Sequence, residues 1–116
     1  MWTRSSVPAM LALLAVQPAA AQQPQPDVQI IAQAYDRCMA TYAVRLTRTD
    51  ATDADIFAQA TAGCQALDDR LRAAITAQLP PARATEVLHA IDAQAEPDFM
   101  AMLARIRSDR AANAGE

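Results

Sequence analysis

The stretch CMATYAVRLTRTDATDADIFAQATAGC, residues 38–64, decides the fold. It runs between the chain's two cysteines and carries Thr49-Asp50-Ala51-Thr52-Asp53 at its middle. The short polar side chains of such residues bond their own backbone, which marks a turn. On either side, apolar residues recur at spacings of three and four, the signature of one helix face. Before the turn these are Val28, Ile31, Tyr35, Cys38, Met39, Tyr42 and Leu46. After it come Ile56, Phe57, Ala60, Cys64, Leu67, Leu71 and Ile75. The pattern predicts an antiparallel helical hairpin with helices over about 27–48 and 53–79.

Facing positions in such a hairpin have a constant index sum, twice the centre of the turn. For Cys38 and Cys64 the sum is 102, centred on Ala51. The same sum pairs Tyr35 with Leu67, Ile31 with Leu71, Val28 with Ala74, Tyr42 with Ala60 and Leu46 with Ile56. Every pair is apolar on both sides, whereas a slip of one residue sets Asp68 opposite Tyr35 and Arg72 opposite Ile31. A Cys38–Cys64 disulfide is therefore expected in the seam. Closing that loop stabilises a small domain by roughly 3–4 kcal/mol. Redox-active pairs usually stand as C-x-x-C with an exposed thiolate, so this pair reads as structural.

Asp27 is placed to cap the first helix, and Thr52 with Asp55 resembles a capping box with Asp replacing Glu. Pro80-Pro81 ends the second helix. A third helix over about 81–95 would turn Ala84, Val87, Leu88 and Ile91 inward. Pro97 suits the first position of a fourth helix, over about 97–112, striped by Phe99, Met102, Leu103 and Ile106. The expected fold is all-α: a stapled hairpin extended by two shorter helices into a small bundle, one domain over 27–112. Residues 113–116 form a tail expected to fray.

The chain opens on Met1-Trp2-Thr3-Arg4-Ser5-Ser6, then an apolar run from Val7 to Val16, then Ala19-Ala20-Ala21 after Gln17-Pro18. This is the layout of a secretory signal peptide, residues 1–21, with the cut after Ala21. A spanning helix needs roughly 20 apolar residues; this run is shorter and bracketed by Pro8 and Pro18. A lipid anchor would need a cysteine directly after the cut, and the first is Cys38. Residues 22–26, Gln-Gln-Pro-Gln-Pro, read as an extended tether. The expectation is an exported protein, periplasmic or extracellular, without stable membrane insertion once the signal is removed.

After that cut nine arginines face thirteen acidic residues, a net charge of −4, and there is no lysine. Phosphate binding wants clustered positive charge, so a nucleic-acid partner is not expected, nor is docking on anionic lipid. Glycine occurs only at Gly63 and Gly115 while alanine is abundant, a helix-forming balance.

Motifs that carry chemistry are sparse. Glu86, His89 and Asp92 form E-x-x-H-x-x-D on one arc of the third helix, a weak metal candidate because a closed site needs three or four convergent ligands. Met100 and Met102 point to nearly opposite sides of a helix and cannot share a metal. Asp36, Asp68 and Asp69 offer carboxylates without an evident cleft, and Arg70 and Arg72 read as solvent-facing charges at the seam's edge. No G-x-S-x-G, H-E-x-x-H or glycine-rich phosphate loop occurs. No catalytic residue and no cofactor is assigned.

On the outer row of the first helix Ile30, Ala34 and Val44 are interrupted by Arg37 and Thr41. The third and fourth helices are expected to cover its apolar ends, because a hairpin alone leaves much apolar area wet. Left open, those ends would form part of a partner or dimer surface. In general look the chain resembles small exported helical proteins of bacteria with alanine- and arginine-rich proteomes, a resemblance that implies no activity. The leading expectation is a non-enzymatic interaction, chaperone-like or inhibitor module acting on another envelope protein. A second is a carrier holding a small apolar ligand between helices, with Tyr35, Tyr42, Phe57 and Phe99 near its walls. A weak metal binder is third. The oligomeric state is left open.

Overall fold

A computed structural model describes residues 27–115. The expected signal peptide over 1–21, with its cut after Ala21, and the expected tether over 22–26 lie outside the described residues. Within them the protein is all-α: α1 (Val28–Leu46), α2 (Asp53–Gly63), α3 (Gln65–Gln78) and α4 (Pro81–Asn113) pack together, and no strand occurs. The Cys38–Cys64 disulfide joins α1 to the start of α3, with its Cα atoms 6.0 Å apart.

Local chemistry sets the ends. Gln29 N–H donates to Asp27 Oδ1 at 2.9 Å, and Asp55 N–H donates to Thr52 Oγ1 at 3.2 Å, so each cap satisfies a donor the helix leaves free. In the turn, Thr49 Oγ1 donates to Leu46 O and accepts from Ala51 N–H. From α4, Arg110 donates to Thr47 Oγ1 at 3.1 Å and to Val44 O at 3.3 Å. A guanidinium at the C-terminus of α1 serves one carbonyl of the last turn and the Thr47 hydroxyl, and meets the negative end of the helix dipole.

Two element boundaries differ from expectation. The second helix is broken at Cys64, whose backbone (φ −104°, ψ 10°) leaves the helical region. The break follows Gly63, where an added Cβ would lie 2.1 Å from the Tyr42 hydroxyl oxygen. Glycine there is a close-approach residue, and its weak helix propensity loosens the same point. Just after the break one expected pairing is not made. Leu67, expected opposite Tyr35, is half-buried and outside both core clusters. Asp68 and Arg72 instead lie close enough to act electrostatically on the Tyr35 phenol. The other four apolar pairs each fall within a shared cluster.

The third and fourth predicted helices are one, α4, with Pro97 inside it. Proline removes the N–H that would bond the Ala93 carbonyl. Pro97 and Ala93 are both exposed, so water reaches the missing bond. Across the proline the apolar stripe keeps phase: Ala84, Ile91, Ala95, Phe99, Leu103 and Ile106 stay on the inner side.

The core has two halves. One, near the α1–α2 turn, gathers Met39, Ala43, Ile56, Ala60, Cys64, Phe99 and Leu103. Its Phe57 and Phe99 rings lie 5.3 Å apart at 53°, a tilted pair. The other, at the far end, gathers Ile31, Leu71, Ala74, Ile75 and Ala84. Tyr35 packs against both.

Candidate functional site, a cleft between the half-cores

Between the two halves α1, α3 and α4 enclose a cleft of about 350 Å³, near the lower end of the roughly 300–1,000 Å³ of small-molecule sites. Its origin is a local shortage of side-chain volume. On α4 the stripe steps from Ile91 to Phe99 through Ala95, and α1 contributes Ala32 where a larger residue would reach across. Two alanines on this lining, one from α1 and one from α4, leave space that larger side chains would fill.

The walls are apolar: Val28, Met39, Leu71, Ile75, Val87, Ile91, Phe99 and Met102. Polar groups from all three helices stand with them: Tyr35 and Asp36 on α1, Asp68 and Arg72 on α3, Gln94 and Asp98 on α4. An apolar body with a few convergent polar groups is the usual make-up of a ligand pocket.

Arg72 is the one cation of this lining, and it is engaged. Its Nε donates to both Asp68 carboxylate oxygens at 3.1 Å, and its Nη2 donates to Asp92 across to α4. That hydrogen bond from Arg72 holds the Asp92 carboxyl below the ordinary carboxylate range. Asp36 and Asp98 have no hydrogen-bond or ion-pair partner among the described residues. Burial pushes the Asp36 carboxyl up from its ordinary value. Burial, then the neighbouring Asp68 charge, raises the Tyr35 phenol, which stays a hydroxyl donor through neutral pH.

Of the four aromatic residues expected near a ligand, Tyr35 and Phe99 line the cleft. Phe57 packs behind Phe99, and Tyr42 covers Gly63 with the Arg45 guanidinium 5.1 Å from its ring centre. Asp68 and Arg72 belong to the cleft rather than to a purely solvated edge, while Asp69 and Arg70 are exposed. Glu86, His89 and Asp92 are exposed; Arg83 donates to Glu86 at 3.1 Å and Arg72 takes Asp92. No group of three or more His, Cys, Asp or Glu that could hold a metal occurs among the described residues.

The apolar ends of the outer row of α1 are not covered: Ile30 is 61% and Val44 44% exposed. The long α4 packs on the other side of α1, lining the cleft with it. A shallow groove on the outer side is lined by Arg37, Ala40, Thr41, Val44, Arg45 and Arg48.

Sequence reasoning did not single out Ala95, Gln94 or Asp98. The available signal was the alanine at the point of the stripe midway between Ile91 and Phe99. Among the described residues no helix is long and apolar enough to cross a membrane. Fold and site together define an all-α, disulfide-stapled domain with an internal cleft. No protein-family model, curated protein or solved structure matches the chain.

Proposed function

We propose that this chain is an exported, non-enzymatic binding protein whose cleft between α1, α3 and α4 holds one small, mostly apolar molecule. The observation that carries this reading is the apolar space of about 350 Å³ at the meeting of the half-cores, with polar groups grouped along its lining. Export is supported by the basic, apolar and small-residue order of positions 1–21. A stapled scaffold suits the task, because a rigid cleft loses little entropy when it is filled. Native mass spectrometry of the protein isolated from the cells that make it tests the reading. A species heavier by one small molecule, stripped by mild activation, is expected; bare polypeptide alone counts against it.

The open outer face of α1 favours a second reading, docking on an acidic protein partner. Val44, with Arg37, Arg45 and Arg48 around it, presents an apolar spot ringed by positive charge. Crosslinking in the cell envelope tests it: a product formed by the native chain should disappear with Val44→Asp, and persistence would rule this face out.

A further inference from the structure

Resting on the ligand-binding reading, we infer that the cleft selects an organic cation, a single ammonium group on an apolar chain or ring. The cavity supplies the site, and the balance of charge around it supplies the sign. Among its lining residues Asp36, Asp68 and Asp98 are acidic and Arg72 alone is basic. Arg72 is already clamped between Asp68 and Asp92, so its charge is not offered to a ligand.

An anionic ligand would meet net negative potential with no free cation to offset it, and like charges beside an apolar wall are costly. A neutral ligand would gain nothing from the charges of Asp36 and Asp98, which have no protein partner among the described residues. Asp36 and Asp98 are both exposed where they line the cleft, and an ammonium group gives each carboxylate a charge-assisted hydrogen-bond partner while its apolar part fills the space behind them. The two carboxylates come from different helices, Asp36 from α1 and Asp98 from α4, so a cation held by both would also tie those helices together. The partial burial that raises the Asp36 carboxyl agrees with this placement, since an adjacent cation relieves that cost. Size follows from volume: about 350 Å³ accommodates on the order of ten non-hydrogen atoms, taking a water molecule's ~30 Å³ as the unit.

The test is isothermal titration of the oxidised full chain with octylammonium, octanol and octanoate, each below its micelle-forming concentration. Octylammonium is expected to bind one site at least tenfold more tightly than octanol, with octanoate weakest. In the Asp36→Asn/Asp98→Asn double variant the octylammonium preference should fall to near unity while octanol affinity stays within about twofold. Retained octanol binding also shows that the variant's cleft is intact. Octanol binding as tightly as octylammonium, or a preference that survives the double substitution, overturns the cation assignment and leaves the ligand-binding reading standing. Failure of all three probes to bind overturns that reading, and the assignment with it.

Discussion

Gly63 and Asp36 show how one side chain changes the outcome of a general rule. Replacing a helical glycine by alanine ordinarily gains up to ~1 kcal/mol. At Gly63 the new Cβ would fall 2.1 Å from the Tyr42 hydroxyl oxygen and 2.3 Å from the ring carbon that bears it, so the sign reverses. Gly63→Ala is expected to destabilise by about 1–3 kcal/mol through overpacking, measured as the shift in the denaturant midpoint, and Tyr42→Ala in the same chain should recover part of the loss. At Asp36 the carboxyl is raised by burial, so the folded state holds that proton more tightly than the unfolded chain does. The associated stability is fully present below the unfolded pKa and is lost as pH rises through the higher folded value. Asp36→Asn removes that loss: its thermal midpoint should exceed the native one near pH ~7 and the difference should vanish near pH ~3. Asp92 has the opposite sign. Its carboxyl is lowered by the Arg72 hydrogen bond, so its contribution holds above the ordinary carboxylate range and is lost as pH falls through the lowered value. Neither the Gly63–Tyr42 contact nor the Arg72–Asp92 bond was legible in the sequence, because each joins two different helices and spacing along the chain does not fix such a contact.

At the scale of elements, the hairpin of α1 with α2 and α3, its turn and its disulfide were legible in the sequence, since spacing, turn residues and cysteine register all pointed to one centre at Ala51. The break at Cys64 was not, because an apolar stripe is read as if its helix were ideal. Around the residue that leaves the helical region one pairing is lost, with Leu67 outside the core and Asp68 and Arg72 near Tyr35, while Leu71 and Ala74 keep their expected places. Pro97 misled for a related reason: it suits a helix start, and only the unbroken phase from Ile91 through Ala95 to Phe99 argued for continuity. The proline leaves one carbonyl without its helical partner, so Pro97→Ala is expected to raise stability by about 1–3 kcal/mol, less whatever the more flexible unfolded chain takes back. Thermal unfolding followed by circular dichroism checks it; an unchanged or lower midpoint would mean that the proline's constraint on the unfolded chain outweighs the lost bond. The outer side of α1 was expected to be covered. It stays open because the continuous α4 packs across the opposite side, where it closes the cleft.

For the whole molecule, two half-cores, one of them holding the disulfide, are joined by α1 and α4 into a small domain with little stability to spare. Substituting both Cys38 and Cys64 by alanine should cost roughly 3–4 kcal/mol in the chain-entropy account, seen as a fall in the denaturant midpoint with similar cooperativity. A loss well below ~1 kcal/mol would mean that the packing holds the hairpin without its staple. The cleft is the property least legible in the sequence, since a space is written there only as small residues, here Ala32 and Ala95, at positions where large ones would also fit the stripe. Of its carboxylates Asp36 and Asp68 were singled out in the sequence and Asp98 was not, and their place on one lining was not legible because they come from separate helices. The central claim, that this space between the half-cores is a binding site, is tested most directly by titrating neutral octanol into the native chain and into Ala95→Leu, whose added side chain occupies the cleft. The account predicts saturable one-to-one binding to the native chain, and a more stable variant that binds at least tenfold more weakly. Equal binding to both chains, or none to the native one, would contradict it.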